Sequence, residues 1–455
     1  MRNILYLLVL GVAGFAFAAG PLSLKQALSE GLKGNLDIQK SELGSEGIDA
    51  QVNAALRSYL PQLTASGTIT RLWANDPTQI MNYPAWLTAI NSPPGQNPLT
   101  PDNMMMAYPI NWNVAGDLKL TQFLYVPQAL TGIAMAKKGK EIDALGKLEL
   151  REGIIYGISM QYWAIVYMEE NLAVMQKSKD NLSKTREAVA SMVGEGIAKK
   201  SDLNTMDINL ASLNTQIDNL SVQIQTQKDG LLQIMGRSPG EKIELTDRLN
   251  VDSRDSGNES GDPLQSSITL RRMEQQVKLQ DMQIDLTRQK IYPNVVAFAS
   301  YGTQASRENF DFFSSPQDKF KDNGTVGLSL TIPIFDGMSN SAERTYARIQ
   351  KRQLEIDMEK QKLALQASYE SAKTTLFNAK NLVERNRENA KLSEENYQMK
   401  ELEYKEHVAP ITDLLTADNN MQTAYSNLVN ALYTEKTAEL ALEQILGILR
   451  RRAAE

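Results

Sequence analysis

The side chains of this 455-residue chain that could do chemistry are few. It holds one histidine, His407, and no cysteine. Thiolate nucleophiles, thiolate metal sites, disulfides and a lipidated cysteine are therefore excluded. There is no nucleophile elbow and no glycine-rich phosphate loop, so the sequence predicts no enzyme, no cofactor and no metal centre. Met104, Met105 and Met106 are adjacent, and three consecutive side chains in a loop converge poorly on one soft ion. His407 lies in a polar turn and reads as an exposed side chain. What remains is a pair of carboxylates in matching surroundings. Asp202 stands in Ala198-Lys199-Lys200-Ser201-Asp202-Leu203, and Asp413 in Ala409-Pro410-Ile411-Thr412-Asp413-Leu414. An acid after Ser or Thr suits the positive end of a helix, as a cap or in the first turn. The same acid repeated around a narrow opening would attract cations. Both readings stand at this point.

The elements that position these acids are long helices. Met338 to Ala409 contains neither glycine nor proline, and its Leu, Glu, Lys, Gln and Ala content predicts one continuous helix of about 100 Å at about 1.5 Å per residue. Pro410 stops it, and a second helical pattern returns from Ile411 to Leu446. The first half of the chain does the same. Pro127 opens a helix to about Val193, along which Gly132, Gly139, Gly146 and Gly153 recur at heptad spacing, a stripe that would let another helix approach closely. Val193-Gly194-Glu195-Gly196 breaks it. The helix after the turn carries Leu203, Leu210, Ile217, Ile224 and Leu231, interleaved with Met206, Leu213 and Leu220, the heptad pattern of an antiparallel coiled coil.

Between the helices lie segments of period two. In Gln62 to Trp73, Leu63, Ala65, Gly67 and Ile69 alternate with Thr64, Ser66, Thr68 and Thr70. After a polar loop from Asn75 to Met106, Trp112, Val114, Leu118 and Leu120 alternate with Asn113, Asp117 and Lys119. Asn294 to Gln304 and Val326 to Ile332 repeat the pattern. A soluble sandwich would bury the apolar side; a membrane barrel would turn it to lipid. Trp73 and Trp112 fall at one end of the first pair, as an aromatic girdle or as cover for an ordinary sheet edge.

The organisation is a duplication. Leu118-Lys119-Leu120-Thr121 lines up with Leu328-Ser329-Leu330-Thr331, and the two acid-bearing turns align at nearly the same offset. We read residues 1–18 as a signal peptide, with Ala16-Phe17-Ala18 as its cleavage pattern. Residues 19–237 are a first repeat of helix, two strands and a long helical hairpin. Residues 238–263 are a polar linker, and 264–455 a second repeat. The net charge of -6 and the lack of a basic block argue against nucleic acid. After the signal no apolar run is long enough to cross a membrane as a helix. The expected fold is mostly α with a β-barrel portion.

In this arrangement, with Tyr59-Leu60-Pro61-Gln62, the Leu-x-Leu-Thr strands running into Tyr125 and Phe335, and the paired tips ending at Asp202 and Asp413, the chain resembles the TolC-type outer-membrane efflux proteins. The resemblance implies a homotrimer with a shared twelve-stranded barrel, four strands from each chain, whose coiled-coil hairpins form a tunnel through the periplasm. It implies passive export in a tripartite efflux or type I secretion system, with a periplasmic adaptor and an inner-membrane transporter of RND, ABC or MFS type as partners, and outer-membrane lipid around the barrel. It further implies a periplasmic gate at Tyr404 and Asp413 and adaptor-docking tips at Gly194, Gly196, Ile197, Val408 and Ala409. The family's tip arginine corresponds to Ala409 and its second gate aspartate to Thr416. A soluble periplasmic coiled-coil scaffold or adaptor is the alternative.

Overall fold

The computed structural model describes residues 21–73, 78–81, 87–88, 91–93, 105–108, 111–249, 261–314, 320–406 and 408–449. Residues 1–18, read above as a signal peptide, and Met104 and His407 lie outside the described residues. The chain divides into two compact units: Met1–Glu46 with Glu141–Val277 and Gln353–Glu455, and Gly47–Lys140 with Lys278–Arg352. Each unit draws on both sequence repeats.

The smaller unit is built on an antiparallel sheet of four strands in the order β2-β5-β7-β8, where β2 is Gln62–Arg71, β5 Trp112–Tyr125, β7 Asn294–Arg307 and β8 Lys321–Thr331. The two repeats meet at its centre, through β5 and β7. Register is fixed by alternation: Leu63 pairs with Leu120, Ala65 with Leu118 and Ile69 with Val114, while Leu120 opposes Ala299 and Ala299 opposes Val326. Most of the small and apolar members of the four strands thus share one face, and Thr64, Ser66, Lys119, Asp117, Ser300 and Thr325 the other, where Val296 and Phe298 also fall; a slip of one residue would reverse every strand. The loop expected from Asn75 to Met106 holds a hairpin of its own, β3 (Thr78–Met81) against β4 (Met105–Tyr108).

The larger unit is helical. Its elements are β1 (Pro21–Leu22), α1 (Leu24–Gly34), α2 (Leu36–Arg57), α3 (Pro127–Gly194), α4 (Lys200–Ile234), β6 (Glu244–Leu245), α5 (Pro263–Ser266), α6 (Ile268–Gln289), α7 (Ser339–Lys405) and α8 (Ile411–Ile445), with α2, α3, α6 and α7 supplying residues to both units. Ser23 caps α1 in a reciprocal box with Gln26, satisfying two otherwise orphaned donors. The heptad positions of α4 are its core: Met206, Leu213, Ile217, Ile224 and Leu231 are buried. They pack in two clusters. One joins Ala27, Ile158, Tyr162, Val166, Leu231 and Leu232; the other joins Leu182, Val189, Met206 and Leu213 of the first hairpin to Tyr397, Ile411, Leu414 and Met421 of the second. Burying each such side chain is worth about 1.5–3 kcal/mol.

One sequence expectation changes here. The stretch read as a linker contains β6, which pairs in parallel with β1, and Ile243 and Leu245 are buried. Next to it Asp247 accepts from the Leu24 N–H at 2.7 Å and lies 2.7 Å from the Tyr162 hydroxyl; burial, then this hydrogen bond, push the Tyr162 pKa up. Along the glycine stripe of α3, a Cβ at Gly132, Gly139, Gly146 or Gly153 would meet nothing within 4 Å among the described residues. Close approach occurs instead at Gly236, where φ is +75° and a Cβ would stand 2.1 Å from the Gly34 carbonyl oxygen. Only glycine fits there.

Candidate functional site

The two hairpin tips are built alike but closed differently. At the first, Gly196 takes φ +80°, and the Ile197 N–H reaches back to the Met192 carbonyl at 2.8 Å, satisfying a carbonyl at the end of α3. At the second, Val408 and Ala409 both donate to the Glu403 carbonyl, at 2.8 and 3.3 Å, and Pro410 starts α8. Gly194, Gly196, Ile197 and Val408 are exposed and Ala409 is half-buried; Ile197 and Val408 are apolar side chains held out at turns.

Neither acid caps its helix. The N-caps are Lys199 and Pro410, without side-chain capping bonds, and Asp202 and Asp413 sit in the first turn. Asp413 is exposed. It adds, after Glu403, to the field that raises the Lys400 pKa. Tyr404 is half-buried and packs on the cluster shared by both hairpins, as do Val193 and Leu203. Its pKa is raised by burial and then by Asp202, so its electrostatic neighbour is the acid of the other hairpin. Thr416 is held inside its own helix, donating to the Thr412 carbonyl at 2.7 Å.

Farther along α8 is an acid that sequence reasoning passed over. Asp418 is 2% exposed. Its Oδ2 accepts from Ser178 at 2.6 Å, while Oδ1 has no hydrogen-bond partner. Burial pushes its pKa up to about 6, against a smaller lowering by the Ser178 hydrogen bond. Near it Glu394 of α7 bonds Lys177 at 3.1 Å and accepts from Tyr425, and the Tyr425 hydrogen bond leads in holding Glu394 below its usual value. Asp418 falls on the buried stripe with Leu414, Ala417 and Met421. An aspartate out of phase with its helix's polar face was the available signal.

In the sheet unit, the register places Trp112 opposite Arg71 and Arg307, with the Arg71 guanidinium 5.4 Å from the Trp112 ring centre. Trp112 packs on Phe310 at 4.9 Å between ring centres, and Phe310 on Phe312 and Phe313. Trp73 is 90% exposed at the same end, where the Leu72 N–H bonds the Asn111 carbonyl. The apolar face is covered near the loops, where Phe312 packs on the buried Val114 and Ala305, and open beyond, with Leu63, Leu118, Leu328 and Leu330 exposed and Val326 86% accessible. The strands β2 and β8 each have one partner among the described residues.

Four antiparallel strands with an apolar exposed face, joined to two helical hairpins of unequal arms, define the fold of the TolC-type outer-membrane channels. Solved structures agree with it in 93% of this chain. They include the outer membrane protein VceC of Vibrio cholerae (17% identity, 96% of that chain, TM-score 0.71). The Campylobacter jejuni CmeC outer membrane channel gives 14%, 85% and 0.69, and the open state of the Neisseria gonorrhoeae MtrE channel 17%, 88% and 0.69. Residues 261–448 match the outer membrane efflux protein family, which is the second repeat of this chain. No curated protein sequence matches.

Proposed function

We propose that this protein is an outer-membrane exit duct, serving a tripartite efflux or type I secretion system. The observation that carries the reading is the sheet: Leu63, Leu118, Leu120, Val326, Leu328 and Leu330 lie in register on one face and are exposed, and its outer strands each lack a second partner among the described residues. Unpaired strand edges are not tolerated in lipid. Three copies would close a twelve-stranded barrel and bring three second hairpins toward one axis. On this reading the exposed Ile197 and Val408, with Gly194, Gly196 and Ala409, receive an adaptor that couples the duct to an inner-membrane transporter. Tyr404 and Asp413 line the narrow end, and Trp73 and Trp112 mark the membrane boundary near the loops. No helix of the described residues is long and apolar enough to cross a membrane.

Fractionation tests it against the scaffold alternative. A duct partitions with outer membranes and runs as a heat-sensitive oligomer in mild detergent. Release by osmotic shock as a monomer would overturn the proposal.

A further inference from the structure

Where β7 and β8 meet the helices, the sheet unit carries a cavity of about 490 Å³ lined by Gln128, Lys290, Ile291, Asn294, Pro333 to Asp336, Ser339, Asn340 and Glu343. Its size is that of a small-molecule site. The lining is polar within and apolar at the rim: Ile291, Ile334 and Phe335 are exposed, Ile334 to 94%. Asn340 is only 5% exposed, yet both its amide oxygen and its amide nitrogen lack a hydrogen-bond partner, as does the buried Oδ1 of Asn294. Buried polar groups are nearly always paired, because an orphan has lost its hydration with nothing in return. The floor is held by a tight turn. Asp336 accepts from the Met338 and Asn340 N–H groups at 3.0 and 2.9 Å, and Gly337 and Met338 both take φ +66°. A left-handed methionine is a strain that surrounding structure must support.

The charges narrow the ligand. Lys290 pairs with Glu343, and Asp336 adds a second carboxylate, leaving one negative charge in excess. That disfavours a simple anion and favours a molecule with a cationic end. The orphan carbonyl oxygens need N–H donors, which a primary ammonium has and a quaternary one lacks. Lys290 can meet an anionic group on the same molecule, and the apolar rim suits attached hydrocarbon. We infer that this cavity holds the phosphoethanolamine headgroup of a membrane phospholipid, with its ammonium among Asp336, Glu343 and the Asn294 and Asn340 amides, and its phosphate toward Lys290. The inference rests on the outer-membrane reading above, since it places the strand ends at the headgroup level of the bilayer.

Native mass spectrometry of the detergent-solubilised oligomer tests it, in micelles containing equal phosphatidylethanolamine, phosphatidylcholine and phosphatidylglycerol. The expected result is retention of the ethanolamine lipid over the choline and glycerol lipids by about tenfold, and loss of that preference in Asn340→Leu. The wild-type comparison needs no variant, so a poorly folding Asn340→Leu leaves the test intact. Equal retention of the three lipids overturns the proposal, as does an Asn340→Leu oligomer that keeps the preference. Glycerophosphoethanolamine, which lacks acyl chains, separates the lipid from a free zwitterion: displacement of the lipid at equal concentration would overturn the lipid assignment. If Asn340→Leu instead dissociates the oligomer while the separated chains still prefer the ethanolamine lipid, the cavity is a contact between copies and the proposal falls. A protein that fails to partition with outer membranes defeats the exit-duct reading, whereas one that partitions and shows no headgroup preference defeats this inference alone.

Discussion

Replacing Asp418 with asparagine should make the helical hairpins more stable at neutral pH, because the wild-type carboxylate is buried without a countercharge. Its Oδ2 accepts from Ser178. Tyr397 of α7 feels its charge and has a pKa that burial pushes up to about 12, and Lys177, next to Ser178 in the chain, is engaged with Glu394 at 3.1 Å. The folded pKa of about 6 lies above the reference 3.8. The protonated acid is therefore the form that the fold prefers. Its contribution is fully present below about pH 3.8 and is lost as pH rises to about 6. Above that, the deficit is constant at about 3 kcal/mol. Asparagine has the same shape and can still accept from Ser178, but its NH2 must find acceptors. The expected net gain is accordingly about 1–3 kcal/mol at pH 7.5, roughly half that at pH 5, and none near pH 3. Urea unfolding of the detergent-solubilised protein, followed by helical circular dichroism across that range, measures it. Equal stability of Asp418→Asn and wild type at pH 7.5, or a gain that grows toward low pH, would refute the reasoning.

Other perturbations probe the remaining structure. If three Asp413 carboxylates ring the narrow end, Asp413→Ala should lower cation selectivity in planar bilayers, read as reversal potential under a salt gradient. Asp202→Ala, which removes a first-turn acid, should change mainly stability, by about 0.3–1 kcal/mol. An unchanged reversal potential in a folded Asp413→Ala oligomer leaves Asp413 as a first-turn acid too. Because the chain has no cysteine, single cysteines report sidedness cleanly. On the exit-duct reading the loop from Asn75 to Met106 faces the cell exterior and the tips the periplasm, so a membrane-impermeant thiol reagent on intact cells should label Pro94→Cys and spare Glu195→Cys at the first tip; the reverse pattern would invert the topology. Gly236→Ala should cost several kcal/mol, roughly 3 or more from the positive φ and the displaced Gly34 carbonyl together. A shift below about 1 kcal/mol in chemical unfolding would show that this contact relaxes freely.

The sequence by itself determined the periodic elements. A breaker-free run makes α7, and the expected stop at Pro410 is where the helical hairpin turns. The heptads of α4 name its buried residues, and period two in Gln62–Arg71 and Lys321–Thr331 gives strands whose apolar members share a face. These patterns are local, and each element must bury or present its stripe whatever it packs against. Tertiary structure decided what periodicity does not encode. The pairing of Pro21–Leu22 with Glu244–Leu245 joins two dipeptides across more than two hundred positions, too short to show a period. The glycine stripe of α3 has open space at each Cβ position among the described residues, because which surfaces meet depends on how the helices pack and not on spacing. Asp413 and Asp418 lie less than two turns apart on α8, one exposed and one buried, because the second hairpin meets the first along Leu414, Ala417 and Met421. The same acid chemistry is thus solvated at one position and held near its protonation point at the other, a difference set by the neighbouring helix.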